Sequence, residues 1–325
     1  MLHEYKANHT KWKTIFAQKK KVLENILGDQ IIMIEHIGST NIPNLVAKNV
    51  IDIMVVVNDI SIIKQYSESI QKSGYKAPRE FFPLCIMFDK KTAEYDVHMH
   101  ICDQHNNFYK QKLCFRDYMQ KHYEIAAQYA QLKLKLVQEH SYQIKDKNGI
   151  RAYTYEKNDF IKSVLQQAEF NELMINFCMH KEEWEAYHHL KKELIFDRIN
   201  VAYSEDHNVF ADPANFHFVL YLGTHIIACA QIEISTHMPK TAILRAIAVA
   251  PNELRKGYAT YFMHNLEKWS SMKGCSVMRL HTAPDAHEFY KKIGYDNAPF
   301  DEDKSINQDA IDMAKELSAQ PNKNV

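Results

Sequence analysis

The apolar positions along the chain change period several times, and the changes mark out its elements. Trp12, Ile15, Phe16, Val22, Leu23 and Ile26 predict a helix over Trp12–Leu27 with one buried face. A short strand at Ile31–Ile34 leads into Glu35-His36-Ile37-Gly38-Ser39-Thr40, and a second, apolar except for Asp52, covers Val50–Val57. Helical spacing returns over Ser61–Ser73, where Gly74 is placed to close the helix in a left-handed conformation. Phe81–Phe88 and Tyr95–Cys102 are predicted as two more strands, with Asp89-Lys90-Lys91 as the turn between them. A polar helical stretch runs from Lys110 to Gln138, and another helix from Tyr155 to Phe170. Strands come first and helices gather late, the order of an α+β domain.

The pattern restarts near Asn171. A short strand at Leu173–Met179 and an amphipathic helix over Lys181–Phe196 precede three strands at Phe216–Leu222, His225–Ser235 and Ala242–Ala250. The Asn/Asp/Pro-rich stretch Ser204–Asn215 is a loop. A glycine-containing loop opens a helix over Lys256–Met272, followed by a strand at Cys275–Thr282 and a helix at Ala286–Ile293. Residues 301–325 carry a weak helix at Ile306–Leu317 and a polar tail. The predicted division is a first domain over 1–168, a second over 171–300 and a C-terminal tail over 301–325.

A length of 325 residues suits two domains. With 46% hydrophobic and 25% charged residues the chain has the composition of a globular protein, which excludes wholesale disorder. Forty Lys and Arg balance 40 Asp and Glu, so no nucleic-acid surface is expected over the whole chain. The longest aliphatic run is Ile53–Val57, too short to span a bilayer, and Met1–Trp12 is too polar for a secretory signal. Six well-separated cysteines without a C-x-x-C pair predict reduced, structural thiols. A cytoplasmic protein without membrane partners is the expectation.

The richest chemistry lies in Ala242–Tyr295. A strand ends at Val249-Ala250-Pro251, and the loop Asn252–Lys256 enters a helix at Gly257-Tyr258-Ala259-Thr260. Backbone N–H groups at a helix start, beside Arg255 and Lys256, suit a pyrophosphate. The strand–loop–helix–strand–helix order, ending in Phe289-Tyr290-Lys291-Lys292-Ile293-Gly294-Tyr295, resembles the GNAT acetyltransferase family over residues 171–300. The resemblance implies a twisted mixed sheet flanked by helices and splayed where acetyl-CoA binds. Ile247 and Val249 would offer main-chain groups to the pantetheine, and the stretch Arg255–Thr260 would hold the pyrophosphate. Leu254 departs from the family's Arg or Gln at that position, and Ala283 from its Asn. Tyr290 matches the tyrosine that protonates the departing thiolate. Ile243 stands where histone-type members carry the basic Glu, so Glu233 on the preceding strand is the substitute base, with His281 and His237 behind it and a water relay as an equal alternative.

In the first half, a Gly-Ser turn precedes a carboxylate on an apolar strand by about a dozen residues. This resembles the nucleotidyltransferase superfamily, whose fold is a mixed sheet with helices. The motifs Glu35–Thr40, Ala47-Lys48, Ile51-Asp52-Ile53, His98-Met99-His100, Phe115-Arg116-Asp117-Tyr118 and Tyr129-x-x-Leu132-Lys133 are similar to the GrpB family over residues 5–168. The resemblance implies a nucleotide or phosphate ligand near Ser39, Lys48, Asp52, Asp96, His98, His100 and Arg116. Met54 replaces the second carboxylate of the superfamily's metal-binding pair, and a thioether is a poor magnesium ligand. Asp52, Asp96, His98 and His100 could instead hold a transition metal, or form a polar row with Arg116.

Together these features predict an acetyl-CoA-dependent N-acyltransferase acting on a small-molecule or protein amine. Its GrpB-like domain would bind a ligand or be a degenerate transferase. The alternatives are metal-dependent nucleotidyl transfer in the N-domain at Ser39, Asp52 and Asp96, or binding of CoA or a nucleotide without turnover.

Overall fold

The computed structural model describes residues 9–139, 156–205, 210, 212–300 and 309–317. The chain divides into two compact units, Met1–Met174 and Ile175–Val325.

In the first unit, β1 (Ile31–Ile37), β2 (Val50–Val57), β3 (Arg79–Phe82), β4 (Cys85–Lys91) and β5 (Asp96–Asp103) form one mixed sheet in the order β1-β2-β5-β4-β3. Only β2 and β5 are parallel, placing Asp52 beside His98. Ile51 and Ile53 through Val57 are buried on both faces of the sheet, as an apolar run at its centre requires. Helix α1 (His9–Leu27) packs Trp12, Leu23 and Leu27 into the core, and the Trp12 indole N–H donates to Asn49 Oδ1 at 2.9 Å. The other helices are α2 (Ile63–Lys72), α3 (Phe108–Lys121), α4 (Tyr123–Glu139) and α5 (Asn158–Gln167).

Two expectations for this unit change. Phe81–Phe88 is a hairpin rather than one strand: Pro83 cannot donate to a ladder, and Leu84 turns the chain at φ +58°. Consequently β4 runs on through Asp89–Lys91, and the next turn falls at Thr92–Tyr95, where the Thr92 hydroxyl oxygen accepts the Glu94 and Tyr95 N–H groups. The single helix expected over Lys110–Gln138 is two, α3 and α4, broken at His122.

The second unit is built on a seven-stranded mixed sheet in the order β11-β12-β10-β9-β8-β7-β6. Its strands are β6 (Leu173–Phe177), β7 (Asn215–Leu222), β8 (His225–Ile234), β9 (Thr241–Val249), β10 (Val277–Thr282), β11 (Asp296–Asn297) and β12 (Ile311–Glu316). Helix α6 (Lys181–Lys191) continues through a π-helical turn at Lys192–Phe196. Helix α7 (Tyr258–Met272) buries Phe262, Met263, Leu266 and Trp269, and α8 (His287–Lys292) buries Tyr290. The weak helix expected at Ile306–Leu317 is not found: residues 311–316 are strand β12, and 306–308 lie outside the described residues. β12 runs antiparallel to the edge that β10 would otherwise leave open, with Met313 buried and the Leu317 N–H donating to the Ser276 carbonyl. Sheet pairing overrides a weak local helix preference here.

Candidate functional site

The second unit's sheet forks. β9 and β10 pair in parallel from Thr241/Val277 to Leu244/Leu280, and β9 then continues through Val249 without β10 beside it. A bulge starts the fork: Gln231 pairs with Ala246 and Ile232 with Leu244, leaving Arg245 as the extra residue. Beyond it β9 remains paired with β8, and the Ala250 N–H donates to the Ile227 carbonyl at 2.8 Å. By strand alternation the backbone groups of Ile247 and Val249 face the opened side, where a ligand's amides could replace a strand.

The loop leaving β9 ends in two left-handed residues. Arg255 has φ +63° and Gly257 φ +81°, and Gly257 heads α7. A Cβ on Gly257 would meet no atom within 4 Å, so conformation rather than crowding calls for glycine, and the space above it is open. The N–H groups of Tyr258, Ala259 and Thr260 lie in the first turn of α7 and have no carbonyl four residues earlier in the helix. This open, donor-rich loop fits a pyrophosphate. Lys256 is paired with Glu253, whose carboxylate lies 2.9 Å from its ammonium. Arg255 is exposed.

Tyr290 is 6% exposed, and its ring meets Phe289 and Tyr295 edge-on. Burial pushes its phenol above the usual range, so it keeps its proton, as an acid must. Glu233 is already paired. It accepts from Arg245 Nε and Nη2, both at 2.9 Å, and both side chains are largely buried. A carboxylate committed to a guanidinium is poorly placed to take a proton from an amine. His237 lies before Thr241, at the closed end of β9. His281 differs from both. It is the first β10 residue beyond the last β9 pair, its Nδ1 lies 2.8 Å from Asp312 Oδ1, and its ring stacks on Phe300. Its Nε2 is buried with no hydrogen-bond partner among the described residues.

In the first unit the Gly-Ser turn and Asp52 touch. A Cβ on Gly38 would lie 2.1 Å from Asp52 Oδ2, and the Gly38 backbone (φ 74°, ψ −176°) belongs to a region nearly confined to glycine. His98 Nδ1 lies 3.4 Å from Asp52 Oδ1 and its Nε2 3.9 Å from Asp89. Burial pulls the imidazole's affinity for a proton down, but Asp52, Asp89 and Asp96 outweigh it, and the net shift is upward. Lys133 on α4 donates from Nζ to Ser39 Oγ at 3.0 Å and to the Val46 carbonyl.

One expected participant, Arg116, is committed elsewhere. Arg116 is occupied by Glu35 and Asp117, each at 2.7 Å, and by the His36 carbonyl, so it clamps β1 to α3. Asp96 and His100 share the Asp52–His98 face. Among the described residues, however, no group of three or more His, Cys, Asp or Glu side chains is arranged to hold a metal. Met54 is completely buried where a second carboxylate would be needed. These donors do not fit a two-magnesium centre. Lys112 on α3, Lys133 on α4 and Lys157 just ahead of α5 do not stand out in the sequence as site residues, because lysines in such places ordinarily signal a solvated face. Lys133 entered only within a family motif.

Residues 3–167 match the GrpB protein family, and residues 177–295 match the Acetyltransferase (GNAT) family. The UPF0157 protein YqkA of Bacillus subtilis is 33% identical over 166 residues, a match covering 49% of this chain and 45% of YqkA. The crystal structure of the conserved protein GrpB from Enterococcus faecalis is 29% identical over 48% of this chain and 92% of its own, with a TM-score of 0.42. That of the ribosomal-protein-S18-alanine N-acetyltransferase from Escherichia coli is 21% identical over 47% of this chain and 99% of its own, with a TM-score of 0.37. No helix among the described residues is long and apolar enough to cross a membrane. Through the match that spans half its length the chain belongs to the GrpB family, and it joins to that domain a GNAT acetyltransferase domain.

Proposed function

We propose that the second unit transfers an acetyl group from acetyl-CoA to an amine, and that the first unit is a degenerate transferase that has kept a ligand site. The fork between β9 and β10, opening beside the Gly257-headed helix, is the observation that carries the acetyl-transfer reading. The main-chain groups of Ile247 and Val249 bind the pantetheine, and Arg255 with the N–H groups of Gly257–Thr260 binds the pyrophosphate. The thioester supplies an activated acyl carbon and a thiolate leaving group. His281 Nε2, its ring oriented by Asp312, takes the proton from the acceptor ammonium so that the free amine can attack. Tyr290, which burial keeps protonated, then donates its hydroxyl proton to the departing thiolate. Glu233 serves by fixing Arg245 at the bulge.

The acceptor is a small-molecule or protein amine. The test is thiol release from acetyl-CoA by the purified full-length chain across polyamines, amino acids and peptides with free N-termini. The reading expects release that one class of amine accelerates well beyond buffer hydrolysis. Release that no amine accelerates would overturn it.

A further inference from the structure

We propose that the acetyl acceptor is a free amino acid, whose carboxylate is held by Arg279 while its amine is presented to His281. The inference rests on the acetyl-transfer reading above and adds to it the chemical class of the acceptor.

Arg279 and His281 lie two residues apart on β10, so their side chains leave the same face of the sheet about 6.6 Å apart along the strand. Glu233, Ile243 and Arg279 stand in register across β8, β9 and β10 on that face. Arg279 pairs with Ile243 one rung before the last β9–β10 pair, Leu244 with Leu280, and His281 follows directly beyond it. Arg279 therefore sits where the fork opens. Phe300 joins the two side chains. Its ring stacks on His281 with centroids 4.5 Å apart, and the Arg279 guanidinium carbon lies 5.3 Å from its centroid.

The neighbouring charges on this face are matched. Arg245, the extra residue of the bulge, is paired with Glu233 at 2.9 Å. Asp312 places Oδ1 2.8 Å from His281 Nδ1 and accepts the Phe300 N–H on Oδ2. Arg279 makes no hydrogen bond or ion pair among the described residues, and its Nη1 is buried. A half-buried guanidinium that has lost water at one nitrogen and gained no acceptor is unfavourable. A ligand carboxylate relieves that cost, because the planar guanidinium grips it through two parallel N–H donors. In an amino acid the amine is only two bonds from the carboxylate carbon, a reach that suits two side chains on one strand face. The amine then meets His281 Nε2, the buried ring nitrogen left over by Asp312. The same charge discriminates among acceptors. A polyamine brings only further positive charge to a guanidinium that lacks a counter-ion, and a peptide N-terminus has its nearest carboxyl locked in an amide.

The test is steady-state thiol release from acetyl-CoA by the full-length chain, with free L-amino acids, each beside its primary amide, and with spermidine. At least one amino acid should accelerate release with a kcat/KM about 10- to 100-fold above that of its amide. Arg279→Gln should lower kcat/KM for that amino acid by about 10- to 100-fold, mainly through KM, and leave the amide within a few fold. Arg279→Lys should recover part of the loss, since the charge returns without the two-pronged grip. A disturbed Phe300 or His281 would instead slow amino acid and amide alike. Should Arg279→Gln fail to fold, the amino acid to amide ratio in Arg279→Lys decides. Amides or spermidine that match the free amino acids would overturn the inference and leave acetyl transfer standing, and so would an amino acid preference that survives Arg279→Gln intact. Release that no amine accelerates would overturn both readings.

Discussion

Individual residues differ in how openly the sequence declares them. Gly257 and Tyr290 stand out in the sequence because each sits in a motif whose order of elements resembles the GNAT family, and the structure puts Gly257 at the head of α7 and buries Tyr290. Glu233 was legible as a carboxylate on the right strand, but its pairing with Arg245 depends on a bulge that no local pattern announces. Lys191 was invisible for the same reason as the first unit's lysines. It lies on the inward face of α6, 8% exposed, donating to Gln231 Oε1 and to the Tyr187 hydroxyl. Burial lowers its ammonium to about 8, whereas the unfolded chain holds it at the ordinary 10.5. Between those values the unfolded state binds more protons, so stability rises with pH across that window and the strain is felt in full below it. Relative to Lys191→Met, the natural protein should therefore gain about 1–2 kcal/mol between pH 8 and 9.5. Paired urea titrations at the two pH values measure it, and a constant difference would show that Lys191 titrates normally.

At the scale of elements, most strands and helices follow from period alone, and the misses have physical causes. Pro83 divides what its apolar neighbours present as one strand, and β12 forms because β10 needs an edge partner. The fork in the sheet is a property of pairing between distant segments, so it entered the sequence reading only through resemblance. Its companion, the α7 head, makes a sharp prediction. Gly257→Leu puts a side chain into open space at φ +81°, costing about 1–2 kcal/mol of stability because an L residue resists that conformation. It should weaken acetyl-CoA binding by more than tenfold, since the side chain occupies the space the pyrophosphate needs. Thermal unfolding and direct titration separate the two effects, and unchanged affinity would move the cofactor away from this loop.

Over the whole molecule, each unit has its own sheet and its own buried core. The division by contacts falls inside β6, which neighbours β7 in the second sheet, so a cut that keeps both sheets whole must precede Leu173. Residues 1–168 and 171–325 expressed apart should each unfold in one cooperative transition. Halves that are soluble only when co-expressed would argue against independent cores. Charge balance over the chain concealed the concentration of lysine around Asp52, because a net of zero is silent on where the charges lie.

The central claim is that Tyr290 and the fork together make an acetyl-transfer site, and Tyr290→Phe tests it most directly. The change keeps the buried ring and removes only the hydroxyl. Steady-state thiol release with the best amine should fall by roughly 10²- to 10⁴-fold, the range for losing a positioned acid. Acetyl-CoA titrated onto the same variant should bind within a few fold of the natural protein, the signature of a loss confined to the transition state. Turnover that is unchanged in Tyr290→Phe would contradict the account and leave Tyr290 as a core side chain.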